Sequence, residues 1–206
     1  MMGEFLRITS IEKAGHGKVQ VFLNDEPAFL ISAGMASDLD LTVGMDITDE
    51  QKERILSTVV LREAVHRCID LLKTRDRTVF QLIRSMANDG YTDIIAREAV
   101  NRLKEKGYLD DSVYAENYIL SHAEDQSVSK IISVLKSRGV SSEDIRTGFE
   151  RNDPVDQKSQ IIRLLEKKRD ILQSGDSHKI ELLLASFVRK GYSYHDVKEA
   201  VDSFLI

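Results

Sequence analysis

Five histidines, one cysteine and a pair of adjacent acids are the residues from which a reactive site could be built, and their spacing decides against one. His16, His66, His122, His178 and His195 include no i, i+4 pair and no His-Glu-x-x-His, and a single cysteine completes no zinc pattern with them. Cys68 falls on the helical stripe of Ala64 and Leu71-Leu72, the position of a packed thiol rather than a nucleophile. Asp110 and Asp111 are neighbours in sequence, but adjacent residues at a helix start point apart, so they read as caps and not as an acid–base couple. Gly15-His16-Gly17 has no following Gly-Lys-Ser/Thr and is a turn, not a phosphate loop. The expectation is a protein with no catalytic, cofactor-binding or metal-binding residues, and no cofactor.

Basic side chains are the remaining candidates. Arg62, Arg67, Lys73, Arg75, Arg77 and Arg84 precede Arg97, Arg102, Lys104 and Lys106, and a second cluster holds Arg163, Lys167, Lys168 and Arg169. Two readings stand side by side. One is a solvated helix face; the other is a contact surface for an acidic protein face or for phosphates, formed by Arg67, Lys73, Arg75, Arg77, Arg84, Arg163, Lys167, Lys168 and Arg169. The tyrosines do not interleave with these cations as stacking platforms would, which weighs against a dedicated single-strand binder.

The whole chain is acidic, with net charge −5 over 206 residues, but unevenly so. Residues 61–107 carry ten Lys and Arg against seven Asp and Glu, whereas 108–153 carry five against nine. With 31% charged residues, 42% hydrophobic residues, two prolines and no tryptophan, the composition is that of an ordered, helix-rich protein. One cysteine excludes an internal disulfide and suits a reducing compartment. No apolar run approaches the roughly 20 residues that cross a bilayer, and no signal pattern opens the chain, so a cytoplasmic location without membrane association is expected.

These residues must be positioned by elements that the pattern also predicts. Phe5 to Lys13 and Lys18 to Leu23 are strands around Gly15-His16-Gly17, and Asn24-Asp25-Glu26-Pro27 turns into Ala28–Ile31, giving a three-stranded meander that needs something to pack on. Thr48-x-x-Gln51 is a capping box, and helical spacing follows; whether one helix runs from Asp49 to Lys73 or breaks near Ser57-Thr58 stays open.

Gly90, Gly139 and Gly191 then align three copies of one pattern. Four residues before them stand Met86, Leu135 and Phe187; nine after, Ala99, Gly148 and Ala200, where a small side chain lets another helix approach. Thr78 and Ser127 are the expected N-caps of the helices ending at the first two glycines, and the third helix is expected to start from Ser177. A further helix precedes each pair, at about Leu61–Lys73, Ser112–Ala123 and Val155–Gln173. The predicted fold is mainly α: three tandem three-helix repeats in an elongated, curved array capped by the β-meander. Its segments are a β-rich 1–47, a linker helix and first repeat in 48–107, and further repeats in 108–153 and 154–206.

The joint between the first two repeats, Gly107-Tyr108-Leu109-Asp110-Asp111 followed by Tyr114-Ala115, resembles the most recognisable motif of the RecX family of bacterial recombination regulators. Thr78-x-x-Gln81-Leu82 and the repeated helices are similar too. The resemblance implies a protein without enzymatic activity that binds RecA and its filament on single-stranded DNA. It implies suppression of filament extension, ATP hydrolysis and strand exchange, and so a place in recombination, DNA repair and the SOS response. A monomer is expected, with at most weak direct contact to DNA. The meander fits support of the first repeat and an added RecA contact equally well. A DNA-binding module acting without RecA, or a scaffold for another partner, are the alternatives; against the first, Glu143, Asp144 and Glu150 outweigh Arg146 and Arg151 on the helix that would enter a groove.

Overall fold

The computed structural model describes residues 5–204; the first four and last two residues of the expected segments 1–47 and 154–206 lie outside them. The chain divides into two compact units, Met1–Asp110 and Asp111–Ile206, with the division inside the Gly107–Ala115 joint. It is mostly helical, with a small antiparallel sheet near its N-terminus.

In the first unit β1 (Phe5–Gly15), β2 (Lys18–Leu23) and β3 (Glu26–Ser32) form the expected meander. The turns use left-handed residues, with Gly15, His16 and Gly17 in one and Asn24 and Asp25 in the other, all at positive φ. The meander is not the whole sheet. A short helix α1 (Ala33–Asp38) leads to β4 (Asp46–Thr48), which pairs antiparallel with Phe5–Arg7, so the strand order is β3-β2-β1-β4. Three residues carry too little alternation to announce a strand, and the fourth was legible only as the approach to the Thr48 cap. Pro27 stands on the edge strand β3, where its missing N–H costs no ladder bond to a further strand.

Thr48 and Gln51 make the reciprocal capping box. Helix α2 (Asp49–Ile55) continues through a π-helical stretch, Leu56–Val60, into α3 (Leu61–Thr74). The helical backbone is therefore unbroken, and the irregularity falls where Ser57 and Thr58 return their hydroxyls to the carbonyls of Glu53 and Arg54, at 2.7 and 2.6 Å. Helices α4 (Val79–Asn88) and α5 (Asp93–Glu105) complete the unit. Ile8, Val21, Phe29, Ile31 and Ile47 from the sheet share one core with Ala64, Cys68, Leu82, Met86 and Val100 from the helices. The sheet's apolar face is thus covered by the helices that the charged residues decorate.

The second unit holds two helical clusters in sequence. Helices α6 (Asp111–His122), α7 (Val128–Ser137) and α8 (Ser142–Glu150) enclose Ala115, Ile119, Ile131, Leu135 and Ile145. Then α9 (Gln157–Glu166), α10 (Arg169–Gln173), α11 (Ser177–Arg189) and α12 (Tyr194–Phe204) enclose Ile161, Leu165, Leu172, Phe187 and Val197. The single helix expected over Val155–Gln173 is two. In a straight helix Lys168 would lie on the buried stripe between Leu165 and Leu172; the turn at Lys167–Lys168 carries it into solvent while Leu172 stays buried. The third aligned helix starts at Ser177 as expected, but its cap is Asp176, whose carboxylate accepts from the N–H groups of His178 and Lys179.

The aligned glycines end α4, α7 and α11 in one hydrogen-bonding pattern. Gly90 N–H donates to the Ala87 carbonyl and Tyr91 N–H to Met86; Gly139 and Val140 donate to Lys136 and Leu135; Gly191 and Tyr192 donate to Val188 and Phe187. The φ angles of +88°, +81° and +90° are those the pattern requires of the glycine. Gly107 ends α5 the same way, at φ +73°. After three of these glycines an apolar residue, Tyr91, Val140 or Tyr192, turns back into the core, whereas Tyr108 after Gly107 is exposed and Leu109 is buried instead.

Candidate partner-binding surface

The nine basic residues singled out by sequence do not share one status. Arg67 on α3 donates from Nε to the Asp89 carboxylate at the end of α4, at 2.7 Å, and that bond holds its guanidinium charged. Arg77 lies in the α3–α4 turn, donating to the Leu71 carbonyl at 3.3 Å and the Ser85 hydroxyl at 3.2 Å. Both tie elements together. Lys73 pairs along its own helix with Asp70 at 2.9 Å, an exposed contact of small energetic weight. Arg75 and Arg84 are exposed, and among the described residues no carboxylate lies within 4.0 Å of either.

The second cluster is more open. Arg163 reaches Glu124 only at 4.0 Å. Lys167 and Lys168 occupy the α9–α10 turn and Arg169 opens α10, all exposed, and none lies within 4.0 Å of a carboxylate among the described residues. The turn that sequence reasoning missed is what presents these three charges.

Around Arg67 the first unit carries a cluster of polar contacts between sheet and helices. Lys18 Nζ on β2 donates to the Tyr91 hydroxyl at 2.6 Å and lies 3.9 Å from that ring's centroid. Burial lowers the Lys18 ammonium pKa and raises that of the Tyr91 phenol. Ser32 donates its N–H and hydroxyl to Glu63 at 3.0 and 2.6 Å. A cavity of about 170 Å³ lined by Ala14, Gly15, His16, Lys18, Arg67 and Asp89 opens beside this network. Its two cations are already bonded, so the cluster holds the sheet on the helices.

Most of the joint motif is engaged in helix ends and cores, while Tyr108 is exposed. Gly107 ends α5, Leu109 is buried in the first core, Asp110 immediately precedes α6 and Asp111 opens it. Tyr114 accepts a hydrogen bond from Arg138 at 2.6 Å, and Ala115 is fully buried where α8 passes. At that crossing a Cβ on Gly148 would stand 2.9 Å from the Glu116 nitrogen and 3.0 Å from the Ala115 Cβ, so the small residue expected nine places after Gly139 is required by a close helix approach.

Gln160 was missed by sequence reasoning. Only 2% exposed on α9, it donates from Nε2 to the Ala123 carbonyl and accepts from the Tyr192 hydroxyl at 3.2 Å. A glutamine adjoining the Ile161, Leu164 and Leu165 stripe was the available signal, since a buried amide must find partners. Ser127, also buried, accepts from Lys130 N–H at 3.2 Å and donates to the Lys190 carbonyl at 2.6 Å, joining α7 to the end of α11.

Among the described residues no three His, Cys, Asp or Glu side chains are placed to hold a metal, and no helix is long and apolar enough to cross a membrane. The arrangement defines a class: a mostly helical protein with a small N-terminal sheet, whose uncommitted charges sit chiefly at exposed turns and helix ends. No family model matches the chain. Regulatory protein RecX of Clostridium botulinum (strain Eklund 17B / Type B) is 29% identical over 204 residues, spanning 95% of this chain and 94% of that protein. Regulatory protein RecX of Mycobacterium leprae (strain Br4923) is 31% identical over 138 residues, 65% of this chain and 81% of that protein. A crystal structure of regulatory protein RecX covers 96% of this chain and 99% of its own at TM-score 0.65 and 18% identity. That of RecX from Lactobacillus salivarius covers 70% and 96% at TM-score 0.62 and 16% identity. The chain belongs to the RecX family of regulatory proteins.

Proposed function

We propose that this protein binds RecA and RecA filaments on single-stranded DNA, and thereby suppresses filament extension, ATP hydrolysis and strand exchange. It acts by occupying space rather than by catalysis, bridging neighbouring RecA protomers so that duplex DNA and the next subunit are obstructed. Family membership supports the partner, and the observation that carries the reading to this chain is the set of exposed cations free of nearby carboxylates: Arg75 and Arg84 in one unit, Lys167, Lys168 and Arg169 in the other. Several separated weak contacts on a multimeric partner add up when they are engaged together. On this reading 48–107, 108–153 and 154–206 act as successive repeats on a β-rich support, 1–47. Helix α8 begins with Glu143 and Asp144, which suits a protein contact better than insertion into a DNA groove.

The test titrates the protein into RecA, single-stranded DNA and ATP while following hydrolysis. Inhibition is expected, weakened by Arg75→Glu with Arg84→Glu and by reversal of Lys167, Lys168 and Arg169, at unchanged melting temperature. Absence of inhibition by the unaltered protein, together with tight binding to bare duplex, would replace this reading with a DNA-binding one.

A further inference from the structure

The second unit has a basic face beyond the residues considered so far. Between its two helical clusters lies a depression of about 420 Å³, lined by Asp125, by Lys130 from the start of α7, by Leu164 from α9, and by Arg189, Lys190 and Tyr192 from the end of α11. A second, of about 450 Å³, adjoins it across Leu164 and Asp125, lined also by Glu124, Gln160, Arg163, Glu166 and Lys167. Both volumes fall in the range of ligand-binding clefts.

Lys130, Arg189 and Lys190 are exposed, and among the described residues none has a carboxylate within 4.0 Å. Three cations against the single carboxylate of Asp125 leave this depression with a net positive charge, which an anionic partner would neutralise. Their scaffold is fixed: the Lys190 carbonyl accepts from the Ser127 hydroxyl, whose oxygen accepts from the Lys130 N–H, and the Tyr192 hydroxyl donates to the buried Gln160. The cations therefore project from a braced seam rather than from a loop.

The charge order selects the class of ligand. Asp125 and Leu164 stand on the border shared with the second depression, which adds Glu124 and Glu166 set among Arg163 and Lys167. A nucleic-acid strand, with a phosphate at every step, would meet Asp125 beside the trio and then Glu124 and Glu166. A polypeptide can place carboxylates on the trio, an apolar side chain on Leu164 and mixed charge beyond it. We propose that this double depression is a docking site for an acidic peptide segment of a protein partner, with Lys130, Arg189 and Lys190 as its anion-recognising residues. The site rests on the RecA reading for the identity of its partner, but not for its chemistry.

The experiment uses the full chain and a fluorescein-labelled peptide of alternating Glu, Asp and Leu, followed by anisotropy at low and moderate salt. The unaltered protein is expected to bind it, and oligothymidylate is not expected to displace it. Reversal of Lys130, Arg189 and Lys190 to Glu should weaken binding at least about tenfold, from three lost contacts of a few-fold each. The Gln triple variant should fall between, and both should keep the native melting temperature. Equal peptide binding by the folded variants, no binding by the unaltered protein, or displacement by oligothymidylate would overturn the proposal. The RecA hydrolysis assay runs separately: loss of inhibition by the unaltered protein removes the RecA reading, while the peptide titration alone decides the groove.

Discussion

Changing Gly191 to Ala tests the junction inside the second unit, because Gly107 provides an internal control. Both glycines end a helix in the same way, at φ +90° and +73°. An alanine forced into that region costs about 1–2 kcal/mol on backbone grounds alone. At Gly107 nothing stands within 4 Å of the added Cβ, so that is the whole expected cost. At Gly191 the Cβ would fall 2.7 Å from Ser127 Oγ and 3.1 Å from Ser129 Cβ. Ser127 cannot retreat freely, because its hydroxyl caps α7 and bonds the Lys190 carbonyl. Losing the cap costs about 1 kcal/mol, and losing the second bond about 1 more. Gly191→Ala should therefore destabilise by about 3–4 kcal/mol against about 1–2 for Gly107→Ala. At about 2–4 °C per kcal/mol for a chain of this size, the two melting curves should separate clearly. Urea unfolding followed by far-UV circular dichroism measures both. In a Ser127→Ala background the excess at Gly191 should largely vanish. Equal costs for the two glycines in the unaltered background would refute the reasoning.

Three further outcomes are expected. Gly148→Ala gains helix propensity, up to about 1 kcal/mol, yet forces a Cβ onto the α6 backbone, so a net loss of about 1–2 kcal/mol should appear in the same unfolding assay. Arg77→Ala should destabilise by about 1–2 kcal/mol through its bonds to Leu71 and Ser85, whereas Arg84→Ala should leave the melt unchanged. Burial pushes the Cys68 thiol pKa up to about 11, so between about pH 9 and 11 the unfolded chain releases a proton that the native state keeps. Stability should fall as pH rises through that window, by up to about 1.4 kcal/mol per unit; Cys68→Ala should show a shallower decline, and a thiol reagent at neutral pH should label only the unfolded protein.

The elements most legible in the sequence were those written by local chemistry. Thr48 with Gln51 announced a reciprocal cap and Thr78 an N-cap, both of which the structure contains, the second also made reciprocal by Gln81; the aligned glycines found three helix ends with one hydrogen-bonding pattern. What escaped was decided by tertiary context. β4 is three residues held by pairing with β1, and the break at Lys167–Lys168 exists to keep a charge off a buried stripe. Basic residue type likewise could not separate Arg77, bent back onto a carbonyl, from Arg84, which faces water. The same limit hid Lys130, Arg189 and Lys190, which are far apart in sequence and line one depression only after α7 and α11 meet.

The caps of α7 and α11 also differ in what they can give. Asp176 only receives, taking two N–H groups at the start of α11, and a carboxylate serves that role fully. Ser127 must receive from its own helix and give to another, and a carboxylate there would turn a lone pair toward the Lys190 carbonyl with no proton between them. Asp is as good a cap as Ser in isolation. The hydroxyl at 127 is thus chosen by a helix more than sixty residues downstream, and the substitution that any helix-capping scale would call silent is the one that should unfasten α11 from α7.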